Sequence, residues 1–151
     1  MEMKSWEREE FLISNHSTLL DLRRIHAFLS QSYWAKGIPL SLVERSIKNS
    51  LCFGLYAREG TLMQQIGFAR VVSDATTFAY LADVYVEQEF EGKGLGTWLV
   101  HCVMEHPDLQ GLRRFCLGTR DAHRLYEKFG FEVIREPKNW MEIKRQDPYG
   151  S

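Results

Sequence analysis

Three glycines alternate at Gly92, Gly94 and Gly96, with Lys93, Leu95 and Thr97 interleaved and following. Glycines let the N–H groups of a turn face one way with no Cβ in the path. A helix starting there adds unpaired N–H groups and a partial positive charge. Together these make a phosphate site, although such turns also occur for structural reasons alone. Two other phosphate loops are excluded by spacing. The G-x-x-x-x-G-K-[ST] loop fails because Lys93 lies between glycines, and G-x-G-x-x-G fails because Leu99 stands where the third glycine belongs. Asp83 is the one carboxylate in an apolar stretch, residues 80–86. A buried carboxylate needs a partner or a task. It attracts or deprotonates a cationic group, or it pairs with Arg70 or Arg120. Tyr33 and Trp34 precede a Gly/Pro turn and are either core plugs or the wall of a substrate site.

The elements that must position these residues are readable from periodicity. Residues 10–14 form a first strand, and Asn15 or Ser17 caps a helix over 18–32 with Leu19, Leu22, Ile25 and Leu29 on one stripe. Arg23, Arg24 and His26 fall off the core of that stripe and read as solvated. Ser41 caps a second helix over 42–49. Strands follow over 51–57, 65–72 and 77–86, with turns at 58–61 and 73–74. After the glycine turn, Leu95, Leu99, Cys102 and Val103 recur at helical spacing until Pro107. A strand over 113–118, a helix over 121–129 and a last strand pair over 131–135 and 140–145 complete the chain. Strands clustered early and strand–helix alternation later predict an α+β fold in one domain over 1–151, with a frayed tail from 146.

Two stretches then carry a family resemblance. Glu91-Gly92-Lys93-Gly94-Leu95-Gly96 resembles the Q/R-x-x-G-x-G/A acyl-CoA loop of the GNAT N-acetyltransferase superfamily, with Glu91 in place of Gln or Arg. Asp121-Ala122-His123-Arg124-Leu125-Tyr126-Glu127-Lys128-Phe129-Gly130-Phe131 resembles its A-x-x-L/F-Y-x-x-x-G-F segment. The resemblance implies a GNAT fold: a mixed, mostly antiparallel sheet flanked by helices, whose fourth and fifth strands, here 80–86 and 113–118, splay around acetyl-CoA. It implies that residues 91–97 hold the diphosphate and that the backbone of Val84, Tyr85 and Val86 holds the pantetheine arm and the thioester oxygen. Thr119 falls near the cofactor gap. Tyr126 falls on the family tyrosine that protonates the departing thiolate, and its ordinary pKa of about 10 is close to a thiol's. The 33–34 loop borders the acceptor site. Leu81-Ala82-Asp83-Val84-Tyr85-Val86 is similar to the L-E-D-x-Y-V strand of polyamine- and thialysine-type members, with Ala82 replacing the Glu. Asp83 then orients the acceptor ammonium or deprotonates it through water.

Composition, with 44% hydrophobic and 26% charged residues, is ordinary for a soluble globular protein. A net charge of −1 excludes non-specific nucleic-acid binding, which needs a basic face. No apolar run reaches the roughly 20 residues needed to cross a bilayer, and there is no signal-peptide pattern at the start. Cys52, Cys102 and Cys116 show no framework, which suits a reducing cytoplasm. They read as buried hydrophobes, with Cys116 as nucleophile the sharper alternative. The five scattered histidines argue against a metal. Among second-tier groups, Asp121 reads as the N-cap of the Tyr126 helix and His123 as an exposed residue that could act as a base; Arg120 falls near the cofactor gap, Asp74 is a further second-tier candidate, and Arg124 and Lys128 either reach CoA phosphates or are ordinary surface charges. The expectation is a cytoplasmic N-acetyltransferase acting on a primary amine of a small molecule by direct attack, with a homodimer allowed. A peptide acetyltransferase and a non-catalytic CoA-binding module are the alternatives.

Overall fold

A computed structural model describes residues 2–150. Six strands form one sheet in chain order: β1 Ser5–Arg8, β2 Phe11–Ser14, β3 Leu51–Glu59, β4 Leu62–Ser73, β5 Phe78–Val86 and β6 Arg114–Leu117. All neighbours are antiparallel except β5 and β6, which run parallel. That exception follows from the connection between them, which carries helix α3, Leu95–Glu105; parallel neighbours need such a crossover.

The strands bury both faces. Along β3, Phe53 and Leu55 face α3, while Cys52 faces α1 (Leu22–Leu29) and α2 (Leu40–Lys48). Helix α3 is apolar on most sides and is buried accordingly, with Leu95, Trp98, Leu99, Val100, Cys102 and Val103 all in the core. It ends before Pro107, as the sequence predicts. A short α4, His123–Glu127, follows β6. Among the described residues, no helix is long and apolar enough to cross a membrane.

Several local expectations change. A strand, β1, precedes the predicted first one; it pairs with β2 from Ser5 with Ser14 to Arg8 with Phe11, and side chains tie down the residues before it. Asn15 accepts from the Lys4 N–H at 2.7 Å, donates to the Glu2 carbonyl at 2.8 Å and meets the buried His106 ring at 2.9 Å. Asn15 is thus committed to a tether and does not cap α1. Asp21 caps it instead, accepting from the Arg24 N–H at 3.1 Å, while Ser17 opens a separate 3-10 turn. Arg24 and His26 are not free in solvent: Arg24 Nε donates to Glu87 at 3.2 Å and to the Gln65 carbonyl at 2.8 Å, and His26 bonds the Ile38 carbonyl at 2.9 Å. Pro39, with its preset φ, stands at the N-cap of α2 in place of Ser41. The last predicted strand pair, 131–135 and 140–145, does not form. Alternation supplies two faces, but a strand also needs a partner edge.

β4 and β5 approach closely at Gly67. A Cβ there would stand 2.8 Å from the Tyr85 carbonyl oxygen and 2.9 Å from Leu55. Overpacking of this kind costs about 1–3 kcal/mol. Gly67→Ala is therefore expected to lose about that much stability in chemical denaturation, and an unchanged midpoint would show that β4 and β5 have slack.

Candidate functional site

The site begins where β5 and β6 separate. They pair from Phe78 with Arg114 to Leu81 with Leu117, and β5 then runs on to Val86 without β6 beside it. The parting coincides with a bulge. Phe68 faces Tyr85 and Arg70 faces Ala82, so Asp83 and Val84 together oppose Ala69. Asp83 takes a left-handed backbone, φ 55°, the conformation that the first residue of such a bulge needs. Aspartate tolerates it better than most side chains. Nothing in the local sequence announces the bulge, because no glycine marks it.

Each oxygen of the Asp83 carboxylate accepts one hydrogen bond. Its Oδ2 accepts from Arg70 Nε at 2.8 Å and its Oδ1 from Trp34 Nε1 at 2.8 Å. Arg70 in turn donates to the Ser50 hydroxyl at 3.1 Å. The salt bridge to Arg70 is therefore real, and it ties Trp34 to the bulge at the same time.

Around this point lies a cavity of about 470 Å³. Tyr33, Trp34, Asp83, Val84, Thr119 and Tyr126 all reach it, so the residues singled out near both strand ends meet in one place. Sequence reading missed Tyr80 and Tyr149 on the same walls, and named Arg70 there only as a partner for Asp83. Tyr80 could have been found from strand alternation, and Gly118 makes room for it, since a Cβ there would come 3.2 Å from its hydroxyl. Tyr149 carries no local signal; it comes from the segment predicted to be frayed, of which Ser151 lies outside the described residues. At the mouth, the Arg120 guanidinium lies 3.8 Å from the centre of the Tyr33 ring. Tyr33 and Trp34 are 52% and 42% exposed, which leaves the entrance open to solvent.

Tyr126 is buried, and burial pushes its phenol above the ordinary value, with Tyr33 adding to the shift. Its helix is not capped by Asp121. Thr119 Oγ1 accepts from the Ala122 N–H at 3.0 Å, and the Asp121 side chain stays exposed, 3.9 Å from Arg120. Tyr85 points its side chain the other way, stacked on Phe28 at 3.8 Å and 7°. Only its backbone can serve the cleft. The thiols lie outside the chemistry: burial pushes Cys52 and Cys102 up to about 12 and raises Cys116 as well, which keeps thiolate scarce at neutral pH. Asp74 builds a turn, accepting from the N–H groups of Thr76, Thr77 and Phe78. Among the described residues, no group of three or more metal-ligating side chains comes together.

Beyond Val86 the chain passes through a 3-10 turn, Gln88–Phe90, into the glycine segment. Gly92 and Gly94 have φ of 81° and 76°, which only glycine adopts without strain. Gly94 is the N-cap of α3, and the first helical bond runs from the Trp98 N–H to its carbonyl at 3.1 Å. Among the described residues, the N–H groups of 92–97 have no acceptor. Glu91, Gly92, Lys93 and Gly94 are exposed, and a Cβ on Gly92 or Gly94 would enter open space. The loop is a bare row of donors at a helix end, a cradle that fits a diphosphate. The Glu91 side chain is exposed and forms no ion pair among the described residues.

A family model for the acetyltransferase (GNAT) domain matches residues 48–133. The chain belongs to the GNAT acetyltransferases. It is similar to a candidate acetyltransferase of Gibberella zeae, 33% identical over 153 residues, with 88% of this chain and 85% of that protein covered. A crystal structure of a candidate GNAT-family acetyltransferase from Xanthomonas campestris superposes with a TM-score of 0.88 at 48% identity, covering 93% of this chain and 97% of that one. The fold is shared, at 15% identity and a TM-score of 0.62, by a GNAT acetyltransferase of Elizabethkingia anophelis solved with acetyl-CoA bound, over 92% of this chain and 91% of that one. This protein is thus an acetyltransferase with the GNAT fold.

The cradle makes a direct prediction. Gly94→Ala puts a methyl group into the space above the loop amides. It is expected to weaken CoA by about tenfold, or 1.4 kcal/mol, in titration calorimetry, with the melting temperature checked alongside. Unchanged affinity in a folded variant would move the diphosphate elsewhere.

Proposed function

We propose that this enzyme acetylates the primary amine of a small-molecule acceptor by direct attack. The observation that carries the reading is the single cavity of about 470 Å³ in which Trp34, Asp83 and Tyr126 meet beside the unpaired stretch of β5. That volume is in the range of small-ligand pockets, roughly 300–1,000 Å³.

Acetyl-CoA supplies a thioester, whose acetyl carbon goes to the amine and whose sulfur leaves with a proton. The residues of this chain do the rest. The amides of 92–97 grip the diphosphate at the positive end of α3. The free edge of β5 at Val84, Tyr85 and Val86 holds the pantetheine arm and donates to the thioester oxygen as charge grows on it. Tyr33 and Trp34 wall the acceptor pocket and present ring faces to an alkylammonium. Asp83 has lone pairs left after binding Arg70 and Trp34; it orients the ammonium and takes its proton through water. Tyr126 donates the proton that the departing sulfur needs. Its raised pKa keeps the phenol protonated through the neutral and mildly alkaline range, so it remains a donor wherever the amine is free to attack. Direct attack is the reading because no thiol is paired with an activating base and burial raises all three.

Tyr126→Phe removes that proton with almost no change in volume. Turnover is expected to fall at least about tenfold, within the usual range for a lost general acid, while CoA affinity stays within twofold. Full turnover in the variant would remove Tyr126 from the chemistry. The acceptor class is tested by thiol release from acetyl-CoA across a panel of diamines, amino acids and short peptides. Activity on free amines is the expected result. Activity confined to peptide N-termini or lysines would replace the small-molecule reading, and CoA binding with no product from any member would replace catalysis.

A further inference from the structure

The acceptor cavity of about 470 Å³ has a neighbour. A second hollow, about 320 Å³, adjoins it and shares Leu42, Ser46 and Arg70 with its wall. It lies between α2 and β4. Leu42, Arg45 and Asn49 recur at i, i+3 and i+7 and so share one face of α2, and Val72 of β4 completes the lining. Leu42 is 37% exposed and Val72 42%, which gives the hollow an apolar lining open to solvent.

Charge is divided along this path. Asp83 and Asp121 line the first hollow. No carboxylate lines the second, whose charged groups are Arg45 and Arg70. Arg70 is committed, since it donates to Asp83 at 2.8 Å and to the Ser50 hydroxyl at 3.1 Å. Arg45 is not. It is exposed, in the last turn of α2, and only its carbonyl is engaged, accepting from Asn49 Nδ2 at 2.8 Å. Among the described residues its guanidinium forms no ion pair. The acid beside it in sequence, Glu44, is taken by Lys48 at 3.3 Å.

We propose that Arg45 anchors an anionic group, carboxylate or phosphate, at the far end of the acceptor. The inference rests on the small-molecule reading above and narrows it. The acceptor amine lies at Asp83, an apolar stem crosses Leu42 and Val72, and the anion meets Arg45. The face of α2 from Leu42 to Asn49 spans seven residues at 1.5 Å each, roughly 10 Å, so the stem is several carbons long. A guanidinium holds either anion through two parallel N–H bonds. The same charge turns diamines away, because their second ammonium would come to rest beside Arg45. Arg45 thus sets specificity at a distance from the reacting atoms.

The test compares ω-aminohexanoate, an aminopentyl phosphate and diaminohexane by thiol release from acetyl-CoA. The anionic amines are expected to exceed the diamine in kcat/KM by about tenfold, the scale of a hydrogen bond to a charged group. A margin for one anion alone identifies which of the two the site takes. Arg45→Ala is expected to lose the margin through KM, with kcat for the anionic amines held. Arg45→Lys keeps part of it, and Arg45→Glu reverses the order. Equal efficiency on all three acceptors, or a margin that survives Arg45→Glu, would overturn the inference and leave the small-molecule reading standing. No turnover of any free amine would overturn both.

Discussion

Two parallel strands that stop holding one another at Leu81 and Leu117 create the working part of this protein. A sheet that stayed zipped to Val86 would have every backbone group paired and nothing to offer a ligand. Parting leaves five residues of β5 with one row of polar groups unanswered, and such groups demand partners. The separation is anchored, since the bulge at Asp83 is gripped by Arg70 from β4 and by Trp34 from the loop after α1. An ion pair of this kind, with side chains only 20% and 10% exposed, adds little net stability. Its value is positional, because removing either member would leave the other charge uncompensated.

The two ends of the proposed cofactor site rest on different physics. At the helix end the proposed contacts are backbone donors, so side chains there are free to vary, and an outward Glu91 is tolerable. At the strand end, burial matters more, because the Tyr126 phenol sits in an apolar setting that raises its pKa. Both ends rest on the same rigid unit. Helix α3 packs with six buried residues against the β3–β5 layer, and the glycine loop is the short bridge between β5 and that helix. Positions set by packed elements hold closer tolerances than positions set by loops.

Much of this was legible in the residues. The glycine turn, the helix ending at Pro107 and the strands β2 to β6 follow from local pattern, because each rests on periodicity or on backbone rules that act within a few residues. The meeting of Tyr33, Trp34, Asp83 and Tyr126 followed from the family resemblance. What escaped depends on distant partners. β1 lies on the free edge of β2, and Asn15 and His106 hold the residues just before it; neither looks like a strand signal. The bulge at Asp83 lacks the glycine that usually gives one away. Thr119, rather than Asp121, meets the Ala122 amide, a choice made by loop geometry. The strands expected at 131–135 and 140–145 failed for the opposite reason: their pattern is right, but a strand is a relation between two chains of amides, and one sequence segment cannot declare its neighbour.

The contact of Arg120 with Tyr33 gives the cavity mouth its character. It joins the loop after α1 to the loop after β6, beside the cavity that Tyr33 lines. Exposed cation–π contacts are worth about 0.5–1 kcal/mol, hardly above thermal energy. A contact that weak parts and re-forms with ordinary thermal motion, so Arg120 does not lock the Tyr33 ring in place.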